Sequence, residues 1–190
     1  MSQFLAQLIY ERVSKTHLRL LDIVADLSGE QLGWRPDLHA PPIAFHLWHM
    51  ARWADRVQAT LPAMSAALGQ RLGPGDEIWI TNALARQWGW QTGDLGYGQT
   101  GMELGDELAA ELQLPPKDML CGYAHQAFAA ADRAIGALDD QLLQERGVDI
   151  YGRVNSVGYV VLVHLSHASR HLGTIEGLRG MQGLRGTATV

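Results

Sequence analysis

The sequence predicts an all-α protein, a four-helix bundle with one irregular excursion. Three observations carry this. Four long stretches place apolar residues at helical spacing, no stretch shows the strict alternation of a strand, and one glycine-rich segment interrupts the second and third helices. The length of 190 residues suits one domain spanning residues 1–190, long enough to bury a sizeable core.

The first helix is expected over residues 4–27, where Leu5, Ile9, Val13, Leu20, Ile23, Val24 and Leu27 recur with charges between them. Ser28-Gly29 ends it, and the connector Gln31 to Pro36 follows. The second helix runs from Pro42 to Leu61 on a stripe of Ile43, Leu47, Met50, Ala54, Val57 and Leu61. Arg52, Asp55 and Arg56 fall opposite the stripe, on what reads as a solvated face. Pro42 is acceptable at the start because the first N–H groups of a helix lack partners; Pro62 marks the end.

Residues 69–105 are rich in glycine and turn signals and read as a long loop carrying one short helix, Glu77–Gln87. Loops of that length are usually functional or lids. The third long helix is expected over 116–138, opened by Pro115-Pro116 and carrying Leu120, Ala124, Ala127, Ala131 and Ile135. A brief link favours an antiparallel last pair. The last helix runs from Ser156 to Gly180 on Val157, Val160, Val161, Leu165, Ala168, Leu172, Ile175 and Leu178.

Composition excludes several function classes. The net charge of -5 and the lack of a Lys/Arg run leave nothing to neutralise phosphates, so no nucleic-acid partner is expected. No stretch approaches the roughly 18 apolar residues of a membrane span, and none suits a signal peptide. Cys121 is the single cysteine and cannot form an internal disulfide, which fits a reducing, cytoplasmic setting. It reads as a small core residue. Gly73-Pro74-Gly75 and Gly96-Tyr97-Gly98 are turn material, since no strand precedes them as a nucleotide-binding fingerprint requires.

The chemistry-bearing signal is histidine. Of eight histidines, His46 and His49 lie on helix two, and His164, His167 and His171 on the last helix. At ~100° per residue, positions four apart differ by ~40° and rise ~6 Å, so His167 and His171 can address one point. A third imidazole from helix two would complete three protein ligands and leave a position open. The wheel places His46 nearer the stripe centre than His49, and His164 nearer than His167, so spacing alone does not choose among them. Three imidazoles suit Zn²⁺, Ni²⁺ or Fe²⁺ better than Mg²⁺ or Ca²⁺, which take oxygen ligands. The bland alternative is that these histidines are packed core and surface residues of a helical interaction module.

Four stretches resemble the DinB-like superfamily, which includes YfiT-type proteins and mycothiol-dependent maleylpyruvate isomerases. They are Leu27 to Pro36, Pro42 to Trp53, Tyr123 to Ala127, and His167-Ala168-Ser169-Arg170-His171-Leu172-Gly173-Thr174-Ile175-Glu176, the last being the most specific. The chain departs from the family at Ala40-Pro41-Pro42-Ile43, where a serine often opens helix two.

The resemblance implies a four-helix bundle with a metal held between helices two and four by His49, His167 and His171. His46 and His164 become alternative ligands or neighbours that orient the ligands. It further implies metal-dependent chemistry on a small molecule: a thiol transferase or isomerase using a low-molecular-weight thiol as cosubstrate, or a hydrolase. Zn or Ni is the expected metal, with Fe a third choice, and the chain is expected to form a homodimer. Trp53 and Tyr123 are expected to line a pocket, with Trp48, Trp79, Trp88, Trp90 and Tyr97 as further aromatics. The competing reading is a non-enzymatic metal-binding or stress-related protein. No general acid or base is legible.

Overall fold

The computed structural model describes residues 4–186. Helices dominate: α1 (Phe4–Ala25), α2 (Gly29–Gly33), α3 (Ile43–Thr60), α4 (Ala66–Leu72), α5 (Ile78–Thr81), α6 (Leu84–Gln87), α7 (Asp106–Glu111), α8 (Lys117–Gly136) and α9 (Val157–Met181). The long ones, α1, α3, α8 and α9, pack as a ring in which α3 and α1 each meet both α8 and α9. The last two helices therefore sit across the bundle from each other instead of forming the adjacent pair read from the sequence. The reason lies in residues 137–156. They are no brief link but a 3₁₀ turn (Leu142–Gln144) and a hairpin of β1 (Arg146–Val148) and β2 (Val154–Ser156), enough chain to cross the bundle end. Three-residue strands are too short to show alternation in the sequence. Gly147 of β1 presses on the turn after α3: a Cβ there would lie 2.0 Å from the Met64 carbonyl oxygen.

The helix stripes form one core. Leu20, Ile43, Leu47, Trp48, Met50, Val57, Phe128, Val161 and Ile175 are all buried in it. Each such side chain contributes roughly 1.5–3 kcal/mol relative to exposure. Helix ends are closed locally. Ser28 and Gln31 form a capping box that turns the expected connector into α2, and Ser156 caps α9 by accepting from the Tyr159 N–H.

The segment after α3 differs most from expectation. It holds α4 to α7, and the helix expected over Glu77–Gln87 is split where Ala83 adopts a left-handed φ of 49°. It also covers the face of α3 that the sequence placed in solvent. Arg52 and Asp55 are both 0% exposed. The amphipathic pattern identified the stripe facing the bundle but carried no signal that a loop would bury the opposite side.

Candidate metal centre

Helices α3 and α9 pack against each other and bring His46, His49, His167 and His171 together. His49 on α3 meets His167 on α9 with Nε2 to Nε2 at 3.2 Å, and His167 Nε2 meets His171 Nε2 at 3.0 Å. One nitrogen from each of His49, His167 and His171 lies within 4.8 Å of the other two. His49 is buried and the other two are half-buried. Tetrahedral ligation at Zn–N distances near 2.05 Å would separate the nitrogens by about 3.3 Å, so the two short distances nearly match.

The hydrogen bonds behind these rings decide which nitrogens are bare. His49 Nδ1 lies 2.5 Å from the Thr100 carbonyl oxygen, which can only accept, so Nδ1 carries the proton and Nε2 is a lone pair. The His49 nitrogen is thus held as an acceptor by the carbonyl behind it. His46 Nδ1 and His171 Nδ1 lie 2.9 Å apart, so one ring donates to the other. A donor N–H passed to a carbonyl or a second ring is how metal-ligating imidazoles are usually oriented. The residues present fit a single metal ion.

Electrostatics agree. Burial pushes the imidazoles of His46 and His49 down to about 4. Burial, helped by His49 and Arg170, takes His167 to about 3; burial and the surrounding histidines take His171 to about 2. At neutral pH all are uncharged, the form that a metal requires.

His164 does not join this group. Its Nε2 faces His17 Nε2 at 2.9 Å, and His17 Nδ1 donates to Asp132 Oδ1 at 2.7 Å. The chain Asp132–His17–His164 runs through the bundle interior, with His17 stacked on Phe128 at 4.5 Å. The sequence reading missed His17 and Asp132, because α1 offers a lone histidine whose neighbours come from α8 and α9.

Two hollows flank the three histidines. An open cavity of about 490 Å³ is walled by His46, His49 and His171 together with Phe45, Met102 and Leu178; its carboxylates are Glu103 and Asp106, and no Lys or Arg lines it. On the other side a narrow cleft reaches His167 between Trp53, Tyr151 and His164. Larger hollows of about 760 and about 1070 Å³ lie elsewhere but bring no set of metal-binding nitrogens together. Trp53 thus sits where a pocket wall was expected, its ring 5.7 Å from His167. Tyr123 lines neither hollow. Its hydroxyl donates to Asp55 Oδ2 at 3.0 Å and accepts from Arg52 Nη1 at 3.2 Å, beneath the loop. The burial of Arg52 and Asp55 that recruits it has no sequence signature.

The chain is similar to a crystal structure of a conserved protein from Enterococcus faecalis, with a TM-score of 0.63 and 18% identity, covering 95% of this chain and 99% of that one. At that identity the likeness speaks for the fold alone. No curated protein matches. The DinB superfamily profile matches residues 12–175, which contain α3, α8, most of α1 and α9, and every histidine of the site. The chain belongs to the DinB superfamily.

Proposed function

We propose that the protein binds one divalent transition metal, Zn²⁺ or Ni²⁺ before Fe²⁺, through His49, His167 and His171, and uses it to act on a small molecule by thiol transfer or hydrolysis. The observation that carries this is the convergence of three uncharged imidazole nitrogens at 3.0–3.2 Å contacts, that of His49 held bare by the Thr100 carbonyl behind its ring. Three protein ligands leave a coordination position free, the mark of a working site as opposed to a structural one. When bound, such an ion supplies Lewis acidity and lowers the pKa of a coordinated water or thiol. The chain's own part is to hold the imidazoles in fixed tautomers and to seat the substrate. Phe45, Met102 and Leu178 offer it apolar contact, and Glu103 and Asp106 repel anions. The substrate this cavity favours is therefore neutral or cationic.

The first test is elemental analysis of untagged protein beside His171→Ala. About one Zn, Ni or Fe per chain is expected, and its loss in the variant; wild-type protein that takes up no added Zn²⁺ or Ni²⁺ overturns the reading. The second is titration of the Co²⁺-loaded protein with cysteamine, 2-mercaptoethanol and 3-mercaptopropionate, followed by absorption. Binding should weaken in that order, and equal binding of all three removes the charge argument.

A further inference from the structure

The segment from Gly96 to Gly101 is gripped by α3, and the grip ends at the candidate metal centre. Arg52 follows His49 by three residues, less than one turn, and is fully buried. Its guanidinium is satisfied on every side. Nε donates to the Gln99 carbonyl at 2.9 Å and Nη2 to the Gly98 carbonyl at 3.0 Å. Nη2 also reaches Glu77 Oε2 at 2.7 Å, and Nη1 reaches Asp55 Oδ2 and the Tyr123 hydroxyl, each at 3.2 Å. One planar fork thus holds two successive carbonyls of the loop.

The next residue is Thr100, 0% exposed. Its hydroxyl donates to the Tyr97 carbonyl at 2.7 Å and accepts from the Met102 N–H at 3.2 Å. Gly101 follows with a φ of +85°, pressed so closely on α3 that a Cβ would lie 2.8 Å from Trp48 and 2.9 Å from Phe45. Its N–H donates to the Leu95 carbonyl at 2.8 Å. Held from both sides, the Thr100 carbonyl has one position, and that is where His49 Nδ1 donates.

We propose that Arg52 and the 98–101 loop are positioning elements for His49: they fix the Thr100 carbonyl so that His49 keeps its proton on Nδ1 and presents a bare Nε2 to His167 and His171. A neutral imidazole otherwise has two tautomers, and the wrong one points an N–H at the ligand position. The consequence for metal affinity rests on the reading under Proposed function; the tautomer itself does not. An arginine is required because a lysine can answer Asp55 and Glu77 as a charge but cannot span two carbonyls in one plane. The glycine-rich loop is then part of the metal site's support, though it contributes no ligand.

Arg52→Lys and Thr100→Val test this from opposite ends. The first keeps the positive charge; the second leaves the ion pairs alone and removes only the hydroxyl bonds that set the loop. Each is compared with wild type after circular dichroism establishes which variants are folded, so either one suffices. Long-range ¹H–¹⁵N correlation on the metal-free protein reads the His49 tautomer. Wild type should show the proton on Nδ1, and the variants a mixture. Zn²⁺ affinity, measured by competition with a chromophoric chelator, should fall about 10-fold or more. A folded variant that keeps both the tautomer and the wild-type affinity overturns the proposal, as does a wild-type His49 protonated on Nε2. If wild type takes up no metal, the metal reading fails, and the tautomer measurement alone decides the role of Arg52 and the loop.

Discussion

His46 and His49 sit 8% and 6% exposed in a neutral form that burial enforces, their pKa values pushed down to about 4. The unfolded chain titrates them near 6.5. Between pH 6.5 and 4 the unfolded state therefore binds protons that the folded state refuses, so stability is fully present above about pH 6.5 and is lost as pH falls toward 4. Urea unfolding of metal-free protein at pH 7, 6 and 5 should show this loss, at most about 1.4 kcal/mol per histidine per pH unit. A flat profile would show that these rings are not buried neutral. The histidine pair on α9 was legible in the sequence because positions four apart share a face. The resemblance of the surrounding motif pointed to His49 over His46. The geometry adds the reason: His49 Nε2 faces the α9 pair, while His46 backs His171.

On α3, one helix serves two environments. Its bundle face carries Ile43, Leu47, Met50 and Val57, and its outer face carries Arg52 and Asp55 beneath the 69–105 segment. Asp55 accepts from the Ile78 and Trp79 N–H groups at 2.9 and 2.8 Å, which anchors α5, and from Tyr123 at 3.0 Å. Asp55→Ala removes that anchor and one of the two carboxylates on the buried Arg52, leaving Glu77 at 2.7 Å. A loss of about 2–3 kcal/mol follows from leaving the Ile78 and Trp79 N–H groups without their acceptor, measurable by urea denaturation. A loss below 1 kcal/mol would mean that the loop does not depend on this carboxylate. Periodicity located α3 to within a residue or two but read Arg52 and Asp55 as solvated. A charged residue on the outer face of an amphipathic helix looks the same whether water or a loop covers it.

The candidate metal centre joins two helices, α3 and α9, whose histidines lie far apart in the chain. An ion bound to the folded form alone raises the unfolding free energy by about 4 kcal/mol at a thousandfold excess over its dissociation constant. A thermal melt with and without Zn²⁺ should show a clear rise in Tm, absent in His167→Ala. An unchanged wild-type Tm, in protein shown to be metal-free at the start, would count against a folded-state site. Among the described residues no helix is long and apolar enough to cross a membrane.

The four long helices, their core stripes and the histidine spacing on α9 are legible along the chain, since each depends on contacts within a turn or two of one helix. The tertiary structure alone decided that α8 and α9 lie across the bundle from each other. It also joined His17 and Asp132 to His164, and placed a loop carbonyl at Thr100 behind His49. Those outcomes depend on residues 50 to 150 positions apart meeting, and on backbone groups that every residue carries alike, so no pattern of side chains along the chain encodes them locally.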